Sequence, residues 1–148
     1  MKCAIELMAI KAKAEEDYKI EEERKDFIAL KEFIKITKRT IDYCENEIND
    51  SLIYRAEHRY PNISVDYLIN YDYDRLGNKL FRFVSVDNKK YKDGSLSYSA
   101  KGEYYSFDTL KSYLESHCLE ITTKNVIRRR YNYGECTYTQ LTISVPKI

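Results

Sequence analysis

Several residue types that mark common ligand sites are scarce or missing in this chain. It has no tryptophan, and only four glycines and two prolines among its 148 residues. A phosphate-binding loop needs closely spaced glycines so that backbone N–H groups can surround the phosphate, so we do not expect one here. No apolar run approaches the roughly 20 residues of a membrane span, so we expect no membrane partner.

The cysteine pattern gives no sign of a metal site or a disulfide framework. Cys3, Cys44, Cys118 and Cys136 form no C-x-x-C pair, and no secretion signal precedes them. We therefore expect reduced thiols, a cytoplasmic location, and neither a metal nor a cofactor. The net charge of +1 also argues against a generic polybasic nucleic-acid binder.

Tyrosine is the residue type in clear excess. The chain has 15 tyrosines against 5 phenylalanines. An AT-rich gene would raise both residues, because both have AT-rich codons, so codon bias does not explain the imbalance. Tyrosine suits a ring with one wet edge, which is common at binding surfaces and also in a thin, half-solvated sheet. The sequence leaves these two interpretations open.

The first 60 residues have the pattern of a helical arm. They contain no glycine and no proline before Pro61, and apolar residues recur at helical spacing. The stripe lapses along residues 15–26, which predicts either a solvated stretch of one helix or a kink. Residues 49–51 are the first capping residues, so we expect the long helix to end there, with a short second helix or an irregular arm up to Tyr60. The predicted organisation is a helical arm, residues 1–60, and a sheet domain, residues 61–148.

A helix of this length exceeds the width of the remaining domain, so part of its apolar stripe has nothing in its own chain to cover it. We therefore expect this stripe to form the seam of a homodimer or to dock on another protein. The alternative is that a kink folds the arm back onto the sheet. The predicted seam consists of Phe27, Leu30, Ile34, Ile41 and Ile48.

After Pro61 the apolar period changes to two, which indicates strands. Residues 63–74 alternate most clearly and predict the first strand, followed by a turn at Gly77 and a second strand along residues 79–87. Residues 88–94 are polar and predict a loop.

A further hairpin is predicted around residues 101–102, where a lysine precedes a glycine between two alternating segments. In that hairpin Tyr98 would lie opposite Tyr105. A short helix follows, capped by Ser106 or Asp108. The fold class is therefore α+β: a long N-terminal helix, kinked or straight, then a mostly antiparallel sheet of three hairpins with one short inserted helix.

The last hairpin, residues 119–131 and 135–145, carries the most promising side chains. A three-residue loop ending at Gly134 would set Arg128 opposite Tyr138 and Arg130 opposite Cys136, while Ile127 would lie on the core face. Guanidinium groups beside phenol rings can bind phosphates, stack on bases or anchor a protein partner. The alternative is an exposed strand face whose arginines cover aromatic rings and discourage edge pairing.

Other candidate chemistry is weaker. Asp66, Asp72 and Asp74 would share the polar face of the first strand but lack the remaining ligands of a calcium loop. His117 would lie at the end of the short helix, where the helix dipole favours a cation. Catalysis by His117 or a cysteine is a third, minor hypothesis, so we predict no catalytic residue.

We expect a non-enzymatic binding protein whose sheet presents Tyr and Arg side chains to a protein partner. The expected binding residues are Arg128, Arg130, Tyr138, Tyr98 and Tyr105. The alternative is nucleic-acid or nucleotide binding through the same face. In size and composition the chain resembles small accessory proteins of phages and mobile elements from AT-rich bacterial genomes, including inhibitors of host defence. That resemblance implies an accessory or inhibitory role.

Overall fold

The computed structural model describes residues 1–92, 95–130 and 133–147, with the backbone alone for residues 87–90 and 101. It confirms the α+β class, with a long N-terminal helix, a mostly antiparallel sheet and one short inserted helix. The elements are α1 (Ala4–Tyr43), a π-turn (Cys44–Ile48), α2 (Asn49–Glu57), β1 (Ser64–Tyr73), β2 (Lys79–Lys90), β3 (Leu96–Ser106), α3 (Phe107–Ser116), β4 (Glu120–Arg130) and β5 (Gly134–Ser144).

Helix α1 is a single uninterrupted helix. Its 40 residues contain no glycine or proline and extend for about 60 Å. Residues 15–26 remain helical, so the predicted kink is absent and the solvated alternative is confirmed. All of residues 1–20 are exposed, because the arm extends beyond the sheet at its N-terminal end.

The predicted helix end at residues 49–51 is wrong. Cys44, Ile48 and Asn49 all have right-handed helical backbone angles, and the helix continues through the π-turn to Glu57. A π-turn holds one residue more than an α-turn and therefore rotates all later side chains around the axis. The helix therefore continues through the capping residues at positions 49–51.

The five strands form a ring in the order β1–β2–β3–β4–β5. All neighbouring pairs are antiparallel except β3 and β4, which meet only at Leu96 and Arg130 in one parallel pair. Two of the three predicted hairpins are present, as β1–β2 and β4–β5. The third, predicted within residues 95–107, is absent, and residues 96–106 form one strand that pairs with β2. The sheet is therefore closed at one end, where β4 finishes and β3 begins.

The predicted turn at residues 101–102 is wrong. Strand β3 continues through Gly102, whose φ of +79° accompanies a register shift between β2 and β3 instead of a chain reversal. As a result Tyr98 lies opposite Val86, and Tyr105 lies opposite Phe81. The predicted loop at residues 88–94 begins later than expected, because β2 extends to Lys90, and residues 93–94 lie outside the described residues.

The last hairpin is confirmed in its strands but not in its register. Arg128 pairs with Cys136 and Arg130 with Gly134, a shift of two residues from the prediction. Gly134 has the predicted left-handed φ of +69°, but it is the first residue of β5 and not the last of the loop. Because the shift is even, the arginines keep their face of the sheet. Tyr131, the predicted end of the first strand, and Asn132, the first predicted loop residue, lie outside the described residues.

The main core lies on the sheet face that carries the helices. Ser106 caps α3 by accepting a hydrogen bond from the backbone N–H of Thr109, which confirms one of the two predicted caps. The end of α1, the π-turn, α2 and α3 cover this sheet face. The buried members are Cys44, Ile48, Leu52, Val65, Ile69, Phe81, Leu110, Leu114, Leu141 and Ile143.

A second, smaller core lies on the opposite sheet face, at the closed end of the ring. It consists of Val84, Tyr98 and Tyr138, with Leu68, Leu96, Val126 and Cys136 packed against them. The Tyr98 and Tyr138 rings are stacked, with centroids 5.3 Å apart, although β3 and β5 are not neighbours in the sheet. The contact therefore crosses the interior of the closed end. On β4, Val126 packs against this smaller core, whereas Ile127, which was predicted to face the core, is 63% exposed.

Candidate functional site

A row of large apolar side chains follows the solvent side of α1. Ile20, Phe27 and Ile34 are spaced by seven residues and are 55%, 61% and 60% exposed. Leu30 lies beside them and is 48% exposed. Seven residues make almost two full turns, so these side chains form one continuous row. We call Ile20, Phe27, Leu30 and Ile34 the outer stripe.

The sheet domain contacts the opposite side of the same helix. Glu22, Ala29 and Ile36 form a second seven-residue row; Glu22 pairs with Arg75, and Ile36 is only 4% exposed. The two rows are offset by two residues, which is about 200° around the helix. The outer stripe therefore points away from the sheet domain, which leaves these side chains uncovered.

Two ion-pair clusters fix the arm against the domain. Arg75, in the β1–β2 turn, binds Glu22 and Asp26 of the arm, with 2.7 Å between its Nε and an Asp26 carboxylate oxygen. Arg39 of the arm donates to the carbonyl of Tyr104 at 2.8 Å and pairs with Glu103 at 2.7 Å. With one cluster at each end of the contact, the direction in which the outer stripe faces is set.

The other two members of the predicted seam lie elsewhere. Ile48 is 1% exposed and belongs to the main core, while Ile41 is half-buried. The π-turn explains Ile48, because its extra residue rotates the row by about 100° toward the domain. Ile20 was missed by sequence reasoning, although one backward step of seven from Phe27 reaches it.

An apolar groove lies between α1 and the edge of the sheet. Its cavity of about 550 Å³ has Ile28, Phe33, Ile36 and Leu80 among its walls. Charged side chains of both signs surround it: Lys25 and Arg39, and Glu32, Asp74 and Glu103. It lies on the domain side of the arm and is separate from the outer stripe.

The closed end of the ring brings together four of the five predicted binding residues. Arg128 lines a cavity of about 370 Å³ with Tyr98, Asp66 and Gln140. The Arg130 guanidinium lies beside the phenol of Tyr138, and its central carbon is 4.3 Å from the centre of the Tyr133 ring. Tyr133 was not singled out from the sequence. We call Arg128, Arg130 and Tyr133 the ring-mouth cluster.

Tyr98 and Tyr138 support this cluster from inside and do not present their rings to solvent. They are 5% and 6% exposed. Burial raises the pKa of the Tyr138 phenol, although the Arg130 guanidinium opposes that shift. Tyr105, the fifth predicted residue, is on the other face of the sheet, with its ring centroid 5.0 Å from that of Tyr43.

Several tyrosines of the sheet domain have a ring packed against other side chains and a hydroxyl close to a polar group. Tyr113 donates to Glu45 at 3.0 Å, and Tyr104 donates to Asp72 at 2.9 Å. Burial raises the pKa of Tyr67 and Tyr71, and the nearby Ser51 and Thr123 hydroxyls oppose that shift. The tyrosine excess thus fits the half-solvated sheet interpretation well.

The remaining candidate residues have local partners. Asp66 accepts from the Thr142 hydroxyl at 2.5 Å, and Asp74 accepts from the backbone N–H groups of Leu76 and Asn78 in the β1–β2 turn. The ring nitrogen Nδ1 of His117 donates to the carbonyl of Tyr113 at 2.8 Å, beyond the end of α3. Within the described ranges, no three His, Cys, Asp or Glu side chains are grouped so that they could hold a metal ion.

Comparison with known proteins assigns no relative. No protein-family model, curated protein or solved structure matches the chain. Among the described residues, no helix combines the length and the apolar character needed to cross a bilayer.

Proposed function

We propose that the protein is a non-enzymatic binding protein that recognises a protein partner through the outer stripe, with the ring-mouth cluster as a second contact. The observation that carries this proposal is the position of the outer stripe, on the side of α1 opposite the sheet domain to which the arm is anchored. Phe27 is 61% exposed in a helix whose other side is anchored to the sheet. Contiguous apolar rows of this kind mark interaction sites, unlike single exposed apolar residues.

The ring-mouth cluster has the chemistry of a second, polar contact. Arg128 and Arg130 offer planar guanidinium groups, and the Tyr133 ring is 68% exposed. Tyr and Arg are the residue types that most often dominate binding energy at protein interfaces. A cytoplasmic accessory or inhibitory protein, the type that its size and composition resemble, would use such surfaces to occupy a partner.

The test is a photo-crosslinking residue, benzoylphenylalanine, placed at Ile34 in the cells to which the gene is native. We expect one discrete crosslinked protein from position 34. The matched control is Lys111, an exposed residue of α3 that lies outside the outer stripe. A protein adduct that forms at position 34 and disappears when Phe27 and Leu30 are changed to Ser supports the proposal. No adduct at position 34, or equal labelling at both positions, overturns it.

A second candidate function is nucleic-acid or nucleotide binding by the ring-mouth cluster. The stacked Arg130–Tyr133 pair beside Arg128 favours it, because guanidinium groups bind phosphates and aromatic rings stack on bases. On this reading, labelled single-stranded DNA, duplex DNA or RNA should bind with an affinity that falls steeply with salt. Fluorescence anisotropy at two salt concentrations measures this.

Matched variants test whether nucleic-acid binding depends on the ring-mouth cluster or on positive charge anywhere on the surface. Changing Arg128 and Arg130 to Gln should weaken binding at least about tenfold, while changing the exposed Lys111 of α3 should have little effect. Absence of binding at micromolar protein would remove this candidate and leave the protein-binding proposal in place.

A further inference from the structure

We propose that the protein partner of the outer stripe is a second copy of this chain, bound antiparallel with Phe27 of each copy near the centre. This inference rests on the proposed function, because it names the partner for the same surface. The spacing of Phe27, Leu30 and Ile34, three and then four residues apart, is that of a coiled-coil seam. Two copies related by a two-fold axis would cover each other's stripe with the same residues.

The charges beside the outer stripe are segregated along the arm. Between residues 24 and 38, the side chains next to the stripe include Lys31, Lys35 and Lys38. The only acidic residues in that segment, Asp26 and Glu32, lie toward the domain: Asp26 binds Arg75, and Glu32 lines the groove. This part of the solvent face is therefore basic.

The preceding segment has the opposite sign. Of the nine residues from 15 to 23, six are acidic and only Lys19 is basic. Part of this charge is engaged within the chain, since Glu21 pairs with Arg24 and Glu22 with Arg75. Glu16 and Glu23 lie on the same side as the outer stripe, because they are spaced from Ile20 by four and three residues.

These charges select the antiparallel orientation. In a parallel pair, each lysine segment would face the same segment of the other copy, and like charges would repel. In an antiparallel pair centred on Phe27, residues 15–23 of one copy lie beside residues 31–39 of the other. Ile20 then meets Ile34, so the apolar row is in register at the same time.

The domains do not obstruct this arrangement. Each domain is attached to the side of α1 that carries Glu22 and Ile36, about 200° from the outer stripe. In the antiparallel pair the two domains therefore lie on the outer sides of the paired helices. The acidic segment also distinguishes this arm from a membrane-surface helix, whose polar face is predominantly basic and is attracted to anionic lipid.

The orientation is tested with single cysteines at Ile20 and Ile34 in a Cys3→Ser, Cys118→Ser background, which removes the two exposed thiols. We expect a mixture of the Ile20→Cys and Ile34→Cys variants to form a mixed disulfide under mild oxidation, identified by peptide mass. In the antiparallel pair, two copies of position 34 are about 21 Å apart, too far for a disulfide. A disulfide between two Ile34→Cys copies would overturn the antiparallel arrangement.

Light scattering tests the self-association itself. The unmodified protein should have twice the mass of one chain at about 100 µM, and Phe27→Ser with Ile34→Ser should reduce this to one chain without lowering the melting temperature measured in dilute solution. Changing Lys31, Lys35 and Lys38 to Glu should raise the dissociation constant at least about tenfold. A monomer at that concentration overturns the inference.

The two proposals fail in different ways. If the purified chain is monomeric while the crosslinker at Ile34 captures a protein of another mass, the partner is a different protein and the proposed function stands. If the chain is monomeric and position 34 captures nothing, both are wrong.

Discussion

Replacing Phe81 by Ala is expected to lower the free energy of unfolding by about 3–5 kcal/mol. The Phe81 ring has no exposed surface and lies at the centre of the aromatic packing of the main core. Its centroid is 5.4 Å from that of Phe83, 5.7 Å from that of Tyr105 and 6.4 Å from that of Phe107. Removal of the ring would leave a cavity that β2, β3 and α3 together enclose. Urea denaturation followed by far-UV circular dichroism measures the change.

The matched control for this variant is Phe27→Ala. The same residue type is removed, but Phe27 is 61% exposed and does not belong to the main core. At a concentration low enough for the chain to be monomeric, we expect a loss within about 0.5 kcal/mol. An equal loss of stability in both variants would show that the outer stripe packs against its own domain, and the binding proposal would then lose its basis.

Phe81 and Phe27 represent the two groups of apolar residues in this chain: those buried in the cores and those exposed on the arm. Residues from the end of α1 onward form both cores, and Ile36 is the first residue of the arm that is buried. The helix before that point is stabilised by its own hydrogen bonds, by the pairs from Arg75 and by its local ion pairs. An isolated helix of this kind gains most when its apolar face is covered by a partner, which is the reason to assign the outer stripe a binding role.

Local periodicity was sufficient to predict most of the elements. The absence of glycine and proline predicted the long helix, strict alternation predicted β1, and Ser106 predicted the start of α3. These signals are local in sequence, so the physics that fixes them acts within a few residues. The α+β class followed from the change of period after Pro61.

Features that depend on pairing between distant residues were not predictable in the same way. Gly102 has the local chemistry of a turn, yet β3 continues through it because its residues pair with β2 on both sides of the register shift. The π-turn has no signal of its own, and it moved Ile48 from the predicted seam into the main core. At Gly102 long-range pairing therefore overrode a local preference, whereas the π-turn had no local signal from which it could be predicted.

The candidate site shows the same limit. Alternation predicts that Arg128, Arg130 and Tyr138 lie on one face of the sheet, and they do share that face. Alternation does not indicate, however, which face is enclosed by the rest of the sheet. Because the sheet closes into a ring, both of its faces are apolar at one end, so Tyr98 and Tyr138 are buried where the pattern predicted a surface. The outer stripe, in contrast, needs only helical spacing, and three of its four residues were predicted.

The second large effect expected is a loss of stability at alkaline pH. Burial raises the pKa of the Cys44 thiol from 9.0 to about 12, with Glu45 adding to the shift. Burial also raises the pKa of its neighbour Tyr43 and those of Tyr67 and Tyr105. These groups share one environment, the interface between the end of the arm and the sheet, so they should act in the same pH range.

The direction follows from proton binding. Above pH 9 the unfolded chain releases the Cys44 proton, whereas the folded chain retains it up to about pH 12, so folding binds a proton throughout that interval. The stability contributed by the neutral thiol is therefore complete below pH 9 and is lost as the pH rises toward 12. For Cys44 alone the loss is on the order of 4 kcal/mol by pH 12, since one pKa unit corresponds to about 1.4 kcal/mol.

The control is Cys44→Ala, measured by urea denaturation at intervals between pH 8 and pH 11. The substitution removes a small buried group, so some stability is lost at neutral pH, but the residue that titrates is gone. We therefore expect a shallower fall of stability with pH than in the unmodified protein, and Tyr43→Phe should reduce the slope further. The slope of stability against pH depends on the titration of the thiol, whereas the stability at neutral pH depends on its packing, so the two effects can be measured separately. If Cys44→Ala leaves the slope unchanged, the thiol ionises as readily in the folded chain as in the unfolded one, and Cys44 is not enclosed between the arm and the sheet.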